Sequence, residues 1–377
     1  MMMLNILHLH SSFDLGGKEA RAVRLMNAFG DRARHMIVSG VEGAYGARDA
    51  IAKGVRYELA QNPPPLTGKP SVSRYQAIAR YMARFDLVLT YNWGAIDGVM
   101  ARRVFAKNMP PVIHHEDGFN ADEAFRLNPV RNAYRRIALQ AAHALVVPSH
   151  RLEDVALRVW KQPHARVRRI SNGIDVAKYA RKPDPRAIPG FKRLPGHAVV
   201  GTVAGLRTVK DLPMLVRAVG GTKSRTQLVI VGEGPERQAI HDTIENMGME
   251  KTVLMPGFLP DPHRYMGLFD MFALSSKSEQ QPIAVMEAMA AGLPIASTPV
   301  GDVAQMIVPE NLPAMSKDWN PVHLRDRIET LAANPDIARA VGKANQARAR
   351  ALFDEKVMIA SYAALYADAV GRPGALG

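Results

Sequence analysis

The sequence predicts an α/β protein built from two doubly wound domains, and three observations support that prediction. The chain has 377 residues, which is too long for one ordinary core and suits two domains of roughly 150 to 200 residues. Short apolar runs alternate with helical patterns, as in a parallel sheet covered by helices. This alternation stops at a polar, Pro-rich stretch, residues 180–197, and then starts again.

The apolar runs that predict strands lie on both sides of that stretch. Those before it are LNILHLH at 4–10, DLVLTY at 86–91, PVIHH at 111–115 and ALVVPS at 144–149. Those after it are AVVGTVAG, QLVIVGEG, TVLMPGF, MFALSS and LPIAST. Since domain boundaries fall in polar, Pro-rich linkers, we place an N-terminal domain at residues 1–185 and a C-terminal domain at residues 186–350.

Composition excludes several classes of protein. Apolar residues make up 47% of the chain and charged residues 22%, which is typical of a folded protein rather than a disordered one. There is no cysteine, so disulfides and thiolate metal sites are excluded. The first residues, MMMLNILHLHSS, show neither a basic leader nor a long apolar run. We therefore expect a cytoplasmic protein.

Positive charge is concentrated in the N-terminal half. Residues 1–190 contain 29 Lys and Arg against 16 Asp and Glu, whereas residues 191–377 contain 20 against 19. Such a surface attracts phosphates of nucleic acid, anionic lipid or a lipid pyrophosphate, although an ordinary solvated surface has the same composition. The segment NPVRNAYRRIALQAAH places Arg131, Arg135 and Arg136 at one-turn spacing beside Tyr134 and Ile137, which predicts a membrane-facing patch.

The loops that follow the predicted strands are the candidate ligand sites, because ligands of doubly wound sheets bind beyond the carboxyl ends of the strands. Gly16 and Gly17 follow the first strand and open an amphipathic helix, where a ligand can approach the backbone. Gly232, Gly234 and Pro235 follow QLVIV, with Pro235 predicted as the first helical residue. The turn lacks the third glycine of a dinucleotide fingerprint, which disfavours a nicotinamide or flavin cofactor.

The stretch SEQQPIAVMEAMAAGLP, residues 278–294, carries two glutamates in an otherwise apolar segment. We predict that the strand before it ends at Ser276 and that a helix begins at Pro282. Glu279 then lies in the loop and Glu287 lies inside the helix.

Between these two carboxylates lie the backbone amides of Ile283 and Ala284, which lack intrahelical partners and favour an anion. Carboxylates accept hydrogen bonds from sugar hydroxyls. The pattern therefore suits a nucleotide sugar, with phosphates in the middle, ribose at one end and hexose at the other. In the alternative interpretation, Glu279 only compensates the helix dipole and Glu287 is an exposed helical residue.

At this point the sequence resembles a known family. The spacing E-x7-E followed by AMAAGLPI is similar to the signature of the family 4 retaining glycosyltransferases, which have the GT-B fold. Further segments resemble that family in the expected order: HLHSSFDLGGKEARAVRL, VPSHRLEDVALR, ISNGIDVAKY, GTVAGLRTVKDLPMLVRA, VIVGEGPER, VLMPGFLPD and STPVGD. The final LFDEKVMIASYAALYADAV is similar to the family's last helices, which implies that residues 351–377 return to the N-terminal domain.

The resemblance implies roles for individual residues. Glu279 would hold the hydroxyls of the donor sugar and Glu287 the ribose, whereas Gly17 would approach the donor phosphates and the acceptor. Lys210 matches the lysine that neutralises the leaving diphosphate. The family's partner arginine usually stands where this chain has Gly205, and Arg207 is the substitute that we predict.

The segment PVIHHEDGFNADE does not decide which residue lies at the reacting centre. Relatives often have a histidine immediately before the glycine that corresponds to Gly118, and here that position is Asp117. His114, His115 or Asp117 could therefore contact the donor sugar or orient the acceptor. The chain has neither an H-E-x-x-H pattern nor a D-x-D motif, which favours a reaction without a metal or other cofactor.

Taken together, these features predict a retaining glycosyltransferase whose two Rossmann-like domains face each other across a cleft. The donor, a UDP- or GDP-type nucleotide sugar, would bind the C-terminal domain. The acceptor, a saccharide or a lipid-linked molecule used for cell-surface polysaccharide or glycolipid synthesis, would bind the N-terminal domain at the inner face of the cytoplasmic membrane. The alternatives are a nucleotide-sugar epimerase of related fold and a nucleic-acid-binding protein. The latter is disfavoured because the basic segment contains no aromatic stacking platform or known binding motif.

Overall fold

The chain folds into two compact units. The computed structural model describes residues 3–119, 123 and 126–377. Unit 1 comprises Met1–Asn172 and Lys356–Gly377, and unit 2 comprises Gly173–Glu355.

Unit 1 contains a parallel sheet with the strand order β3-β2-β1-β4-β5-β6-β7. The strands are β1 (Leu4–His10), β2 (Ala33–Ser39), β3 (Arg56–Leu59), β4 (Leu87–Tyr91), β5 (Val112–His115), β6 (Ala144–Val147) and β7 (Val167–Arg169). Its first helices are α1 (Gly17–Phe29), α2 (Val72–Met82), α3 (Ile96–Val104), α4 (Pro129–Ala138) and α5 (His150–Arg158).

The sheet of unit 1 is covered on both faces because successive side chains of a strand point in opposite directions. Leu4 and Ile6 of β1 pack in one cluster with α1. Leu7 and Leu9 pack in another with α2 and α3. Both faces of this interior strand are thus buried, and Asn5 is its one exposed residue.

Unit 2 contains a second parallel sheet, with the order β10-β9-β8-β11-β12. Its strands are β8 (Ala198–Val203), β9 (Thr226–Val231), β10 (Val253–Gly257), β11 (Met271–Leu274) and β12 (Ile295–Ser297). Its helices are α6 (Val176–Tyr179), α7 (Leu212–Gly220), α8 (Arg237–Asn246), α9 (Ile283–Ala290), α10 (Val303–Met306), α11 (Pro321–Ala333) and α12 (Pro335–Leu352).

The strand order reverses beside the first strand of each sheet, between β1 and β4 in unit 1 and between β8 and β11 in unit 2. At such a switch point the loops from adjacent strands run to opposite faces and leave a crevice where ligands bind. We therefore expect ligand-binding residues in the loops after β1, β4, β8 and β11.

The end of the chain packs on unit 1. Helix α13 (Glu355–Ala369) places Met358, Tyr362 and Tyr366 in the cluster that contains α1 and one face of β1. Across the described residues, none of the helices combines the length and the apolar character that crossing a bilayer requires.

The first division of the chain lies earlier than the Pro-rich stretch at 180–197. Tyr179 of α6 and Ile188 pack in the same cluster as Phe269, inside unit 2. Asp184 also donates its backbone amide to the carbonyl of Arg264, at 2.7 Å. The stretch is therefore tied to unit 2 by its own contacts, and the division falls after Asn172 instead of residue 185.

All nine strands predicted from apolar runs are present. The sequence missed β2, β3 and β7, because β3 and β7 are short and mostly exposed and because Arg34 and His35 interrupt the apolar residues of β2. The predicted end of MFALSS at Ser276 was wrong, since β11 ends at Leu274 opposite Ser297, the last residue of β12. The predicted helix start at Pro235 was also wrong, because α8 begins at Arg237.

Candidate functional site

The switch point of unit 2 brings together two of the charged residues that the resemblance singled out. Lys210 ends the loop after β8, and Glu279 lies in the loop after β11. The ammonium Nζ of Lys210 lies 2.5 Å from Oε1 of Glu279, and the two side chains are 24% and 12% exposed. Lys210 and Glu279 are far apart in the sequence. They become neighbours because β8 and β11, the strands before their loops, lie side by side in the sheet.

Two hydrogen bonds tie the loops that carry Lys210 and Glu279 to each other. The hydroxyl of Ser275 donates to the carbonyl of Lys210 at 2.8 Å, and the amide of Lys277 donates to the carbonyl of Val209 at 2.8 Å. The hydroxyl of Ser276 donates to Oε1 of Glu279, also at 2.8 Å. The carboxylate of Glu279 is therefore fixed by a neutral donor as well as by the lysine.

Residues that follow β12 in the chain also contact the loop that carries Glu279. The carbonyl of Ser276 accepts hydrogen bonds from the hydroxyl of Thr298 at 2.7 Å and from Nε1 of Trp319 at 3.1 Å. Gly301 has a φ of 53°, and a Cβ atom there would lie 2.5 Å from the carbonyl oxygen of Gln280. Only glycine fits this close approach, which gives the STPVGD segment a structural reason for its glycine.

The start of α9 presents backbone amides without a side-chain acceptor. Pro282 is the N-cap residue and has no polar side chain to cap the helix. The first amide to bond back along the chain is that of Val285, which donates to the carbonyl of Pro282 at 3.1 Å. The half-buried Ile283 and Ala284 precede it in the first turn, where amides and helix dipole favour an anion.

Glu287 lies one turn farther along α9 and is held by a residue that the sequence did not single out. The hydroxyl of Tyr179 donates to Oε1 of Glu287 at 2.8 Å. Burial and the nearby charge of Glu287 raise the pKa of Tyr265 above its ordinary value. Glu287 is half-buried between two tyrosines, so the interpretation of an exposed helical residue was wrong.

The remaining predicted residues of unit 2 border this site. Arg207 is exposed and stands at the start of the turn that ends at Lys210, whose amide donates to the carbonyl of Arg207 at 2.9 Å. Gly234 has a φ of 156°, and a Cβ atom there would lie 2.4 Å from the carbonyl oxygen of Leu206. Packing between the loops after β8 and β9 thus already requires a glycine at position 234.

The switch point of unit 1 holds the glycines predicted after the first strand. Gly16 is the N-cap residue of α1 and Gly17 is its first residue. The side chains of Lys18 and Glu19 form an ion pair directly after them. Burial lowers the pKa of Lys18 to about 8, although the charge of Asp117 opposes this shift.

Asp117 forms a buried ion pair with Arg21 of α1. Nη2 of Arg21 lies 2.8 Å from Oδ2 of Asp117, and a second contact joins Nη1 to Oδ1. The amide of Asp117 donates to Oδ1 of Asn92 at 2.7 Å. Burial would raise the pKa of Asp117, but the charge and hydrogen bonds of Arg21 lower it below its ordinary value.

The two histidines before Asp117 lie in the core. His115 is fully buried, with Nε2 at 2.8 Å from the hydroxyl of Tyr366 and Nδ1 at 3.2 Å from the carbonyl of Thr90. His114 has its Nδ1 at 2.8 Å from the hydroxyl of Thr90. Burial lowers the pKa of His115 to about 3. Both rings therefore have partners within unit 1, and of the three candidates Asp117 alone lies in the loop beyond β5.

The arginine patch predicted on NPVRNAYRRIALQAAH was wrong in one member. Arg135 is fully buried, and its guanidinium contacts Glu123 at 3.1 Å and Glu116 at 3.4 Å. Arg131 also contacts Glu123, at 3.1 Å. Helical spacing placed these residues near one another, but it did not show that α4 turns Arg135 towards the carboxylates of the preceding loop.

A metal site is not evident among these residues. In the described part of the chain, the group with metal-ligand spacing is His241, Asp242 and Glu245, all exposed on α8. Exposed groups of this kind are common on helices and need no ion to explain them. None of the three belongs to the loops after β8 or β11.

Two family models match the chain, one mainly in unit 1 and one within unit 2. The model described as Glycosyltransferase Family 4 matches residues 15–178. The model described as Glycosyl transferases group 1 matches residues 188–348 and so includes Lys210, Glu279 and Glu287.

Comparison with individual proteins agrees with these matches. The chain is 21% identical over 243 residues to the N-acetyl-alpha-D-glucosaminyl L-malate synthase of Bacillus anthracis, covering 64% of each chain. It is 25% identical over 242 residues to the UDP-Gal:alpha-D-GlcNAc-diphosphoundecaprenol alpha-1,3-galactosyltransferase of Escherichia coli, covering 60% of each. The matched regions thus span less than two thirds of both relatives.

A solved structure has the same fold over nearly the whole chain. HepE of Anabaena in complex with UDP aligns with a TM-score of 0.78 at 20% identity, covering 97% of this chain and 100% of that one. The predicted GT-B fold is therefore confirmed.

Proposed function

We propose that this chain, which resembles the family 4 glycosyltransferases in both of its units, transfers a sugar from a nucleotide-sugar donor to a saccharide-containing acceptor with retention of anomeric configuration. The observation that carries the proposal is the meeting of Lys210 and Glu279 at the switch point of unit 2, beside the uncapped start of α9. This arrangement combines positive charge for a diphosphate with a carboxylate for sugar hydroxyls. UDP is the first nucleotide to test, because HepE was solved with UDP.

In this proposal the leaving diphosphate is stabilised by Lys210 and by the amides of Ile283 and Ala284. Negative charge grows on the diphosphate as the glycosidic bond breaks, and preorganised donors lower the barrier most where charge develops. Arg207 lies on the same turn as Lys210 and is exposed, so it can add a second positive charge. No protein nucleophile is required, because the acceptor hydroxyl attacks on the leaving-group face and passes its proton to the donor phosphate.

The two glutamates then have separate tasks. Glu279, fixed by Ser276, accepts hydrogen bonds from the hydroxyls of the donor sugar. Glu287, fixed by Tyr179, accepts hydrogen bonds from the ribose. The half-buried position of Glu287 makes its loss costly for nucleotide binding, because a ribose hydroxyl that loses its partner in a dry site forfeits about 1 to 3 kcal/mol.

The reaction that we propose needs no metal ion, because Lys210 and the amides at the start of α9 supply the positive charge. Chelation with EDTA should therefore leave nucleotide release from a nucleotide-sugar donor largely unchanged. A complete loss of turnover with EDTA that is restored by added Mg²⁺ would refute this part of the proposal.

The acceptor in this proposal carries a lipid or a polysaccharide and is met at the inner face of the cytoplasmic membrane by unit 1. The support is the excess of basic residues in the N-terminal half and the lipid-linked acceptor in the name of the Escherichia coli relative. With Arg135 buried, the surface of α4 that can meet a membrane is its solvent-facing side, where Val130 is 76% exposed, Ile137 51% exposed and Arg136 also exposed. An exposed basic and apolar helix face of this kind favours an anionic interface.

Thermal unfolding in the presence of nucleoside diphosphates and their sugars tests the proposal directly. A ligand at 100 times its dissociation constant should stabilise the donor-binding unit by about 2.7 kcal/mol. Incubation of the stabilising nucleotide sugar with acceptors should then give free nucleotide and an extended acceptor. An isomerised nucleotide sugar would indicate the epimerase, and a lack of any stabilisation across the panel would refute nucleotide-sugar binding.

A further inference from the structure

A groove on unit 1 lies at the carboxyl ends of β2 and β3. None of its described lining residues belongs to the loops after β1, β5, β8 or β11. It is lined by Ser39, the last residue of β2, by residues 40, 42, 43 and 45 after it, and by residues 60–66, which follow β3. The space inside measures about 560 Å³, which is within the range of ordinary ligand sites. We call it the β2–β3 groove.

Hydrogen bonds join one wall of the groove to the segment that leads from β1 to Gly16 and Gly17. The amide of Gly40 donates to the carbonyl of His10 at 2.8 Å, and the amide of Phe13 donates to the carbonyl of Ala44 at 3.0 Å. A ligand bound in the groove would therefore border the loop after β1, where we place the acceptor.

The walls of the groove are rigid. Three consecutive prolines, Pro63 to Pro65, line one side, and proline has a fixed φ. Leu66 is 3% exposed, and its carbonyl accepts a hydrogen bond from Arg74 at 3.2 Å. On the other side, the amide of Tyr45 donates to the carbonyl of Gly43 at 3.0 Å. A preformed site loses little conformational entropy on binding.

The chemistry of the lining is that of a site for an uncharged sugar. The ring of Tyr45 and the prolines offer flat apolar surface for the C–H face of a pyranose. Glu42, Gln61 and Asn62 offer hydrogen-bond acceptors and donors for hydroxyls. None of the described residues that line the groove is basic, although unit 1 as a whole carries a large excess of positive charge. A phosphate would find no cation here and would meet the carboxylate of Glu42.

From these observations we infer that the β2–β3 groove binds a neutral saccharide unit of the acceptor and selects against phosphorylated sugars at that position. The inference rests on the proposed function, since it assigns the groove to the acceptor of that reaction. Any phosphate of a lipid-linked acceptor would then have to be bound elsewhere.

Saturation-transfer NMR on the full-length protein tests this inference with defined probes. The probes are methyl α-D-glucopyranoside, its N-acetylglucosamine equivalent and glucose 1-phosphate. For the wild type we expect binding of at least one methyl glycoside and weaker binding of glucose 1-phosphate. Binding of neither glycoside, or stronger binding of the phosphate, would overturn the inference.

Variants then assign that binding to the groove. Gln61→Trp fills the groove from an exposed position, and Tyr45→Ala removes the ring. Tyr45→Ala should weaken glycoside binding by roughly tenfold, the effect of losing one good aromatic contact, and Gln61→Trp should weaken it because the new side chain occupies the space of the ligand. The matched control is Tyr57→Ala, which removes a tyrosine that is 38% exposed on β3 outside the groove, and it should bind as the wild type. Since Tyr45 packs partly on the core, Gln61→Trp decides the result if Tyr45→Ala is unstable. Unchanged binding by Gln61→Trp would refute the assignment.

Charge reversal tests the selectivity. Glu42→Lys changes an exposed residue and should turn the preference towards glucose 1-phosphate, and an unchanged preference would contradict the charge argument. Thermal stabilisation by UDP, measured in parallel, concerns unit 2 and should be the same in all variants. If UDP did not stabilise the wild type, that result would count against the donor that we propose. If a variant lost glycoside binding but was still stabilised by UDP, the result would concern the groove alone.

Discussion

Removing the charge of Lys210 should slow sugar transfer while the rest of the donor site stays in place. In the structure the ammonium of Lys210 and the hydroxyl of Ser276 both contact Oε1 of Glu279, at 2.5 Å and 2.8 Å. In Lys210→Ala the second contact remains, so the loop after β11 should keep its position. The effect should then come from lost charge stabilisation, which for one strong donor amounts to about 3 to 4 kcal/mol, or about 10²- to 10³-fold in kcat.

The same ion pair predicts an opposite effect on product binding for Glu279→Gln. In the ligand-free protein Glu279 neutralises Lys210, and a diphosphate has to compete with that carboxylate. A partly exposed ion pair contributes about 0.2 to 1 kcal/mol, so its loss should raise the affinity for a nucleoside diphosphate up to about fivefold. Transfer should nevertheless fall, because the hydroxyls of the donor sugar lose a charged acceptor.

Two measurements separate these effects. Isothermal titration with UDP, the first nucleotide to test, gives the affinity, and a coupled assay of nucleotide release from the corresponding nucleotide sugar gives kcat. Lys277→Ala is the matched control, because Lys277 lies in the loop after β11 with Glu279 but pairs with Asp211 at 2.8 Å. It should keep both values close to those of the wild type.

The reasoning would be refuted if Lys210→Ala kept the wild-type kcat, or if Lys277→Ala lost as much activity as Lys210→Ala. A large fall in nucleotide affinity for Glu279→Gln would also contradict it, because it would mean that the carboxylate supports the diphosphate instead of competing for the lysine.

Three further predictions follow from other contacts. Glu287→Ala should weaken binding of the nucleoside diphosphate by about 1 to 3 kcal/mol, and Tyr179→Phe should do so to a smaller extent; equal affinity of all three proteins by titration would remove Glu287 from the nucleotide site. Asp117→Asn should destabilise unit 1 by about 3 to 5 kcal/mol at neutral pH, because it removes the carboxylate that compensates the charge of the buried Arg21. Since the pKa of Asp117 is lowered in the folded state, its contribution is present above the unfolded pKa and disappears as the pH falls through the folded one. The difference between the two proteins, measured by hydrogen exchange in β1 and β4, should thus shrink below about pH 4. Arg136→Glu should reduce sedimentation with anionic vesicles at low salt and leave UDP binding unchanged, and equal recovery of both proteins in the pellet would argue against a membrane contact through α4.

The sequence by itself predicted the fold and the position of each glutamate relative to the start of α9. Local patterns are sufficient for this, because alternating strands and helices identify a doubly wound sheet, and because Pro282 and the apolar spacing after it mark where α9 begins. Glu279 does lie in the loop before α9, and Glu287 lies within the helix. The motifs VIVGEGPER and STPVGD also pointed to loops that pack around this site.

Only the tertiary structure decided which side chains meet. Lys210 and Glu279 are 69 positions apart, and the sequence named each of them without showing that they pair, which results from the adjacency of β8 and β11. The contact from Tyr179 to Glu287 spans 108 positions, and the motif ISNGIDVAKY, which ends at Tyr179, did not show which residue this tyrosine contacts. The burial of Arg135 could not be predicted from the sequence either. The orientation of α4, which brings Arg135 to Glu116 and Glu123, depends on a neighbouring loop. Sequence periodicity determines which residues share a helix face, whereas the packing of that face against other elements determines whether a charge meets solvent or a buried carboxylate.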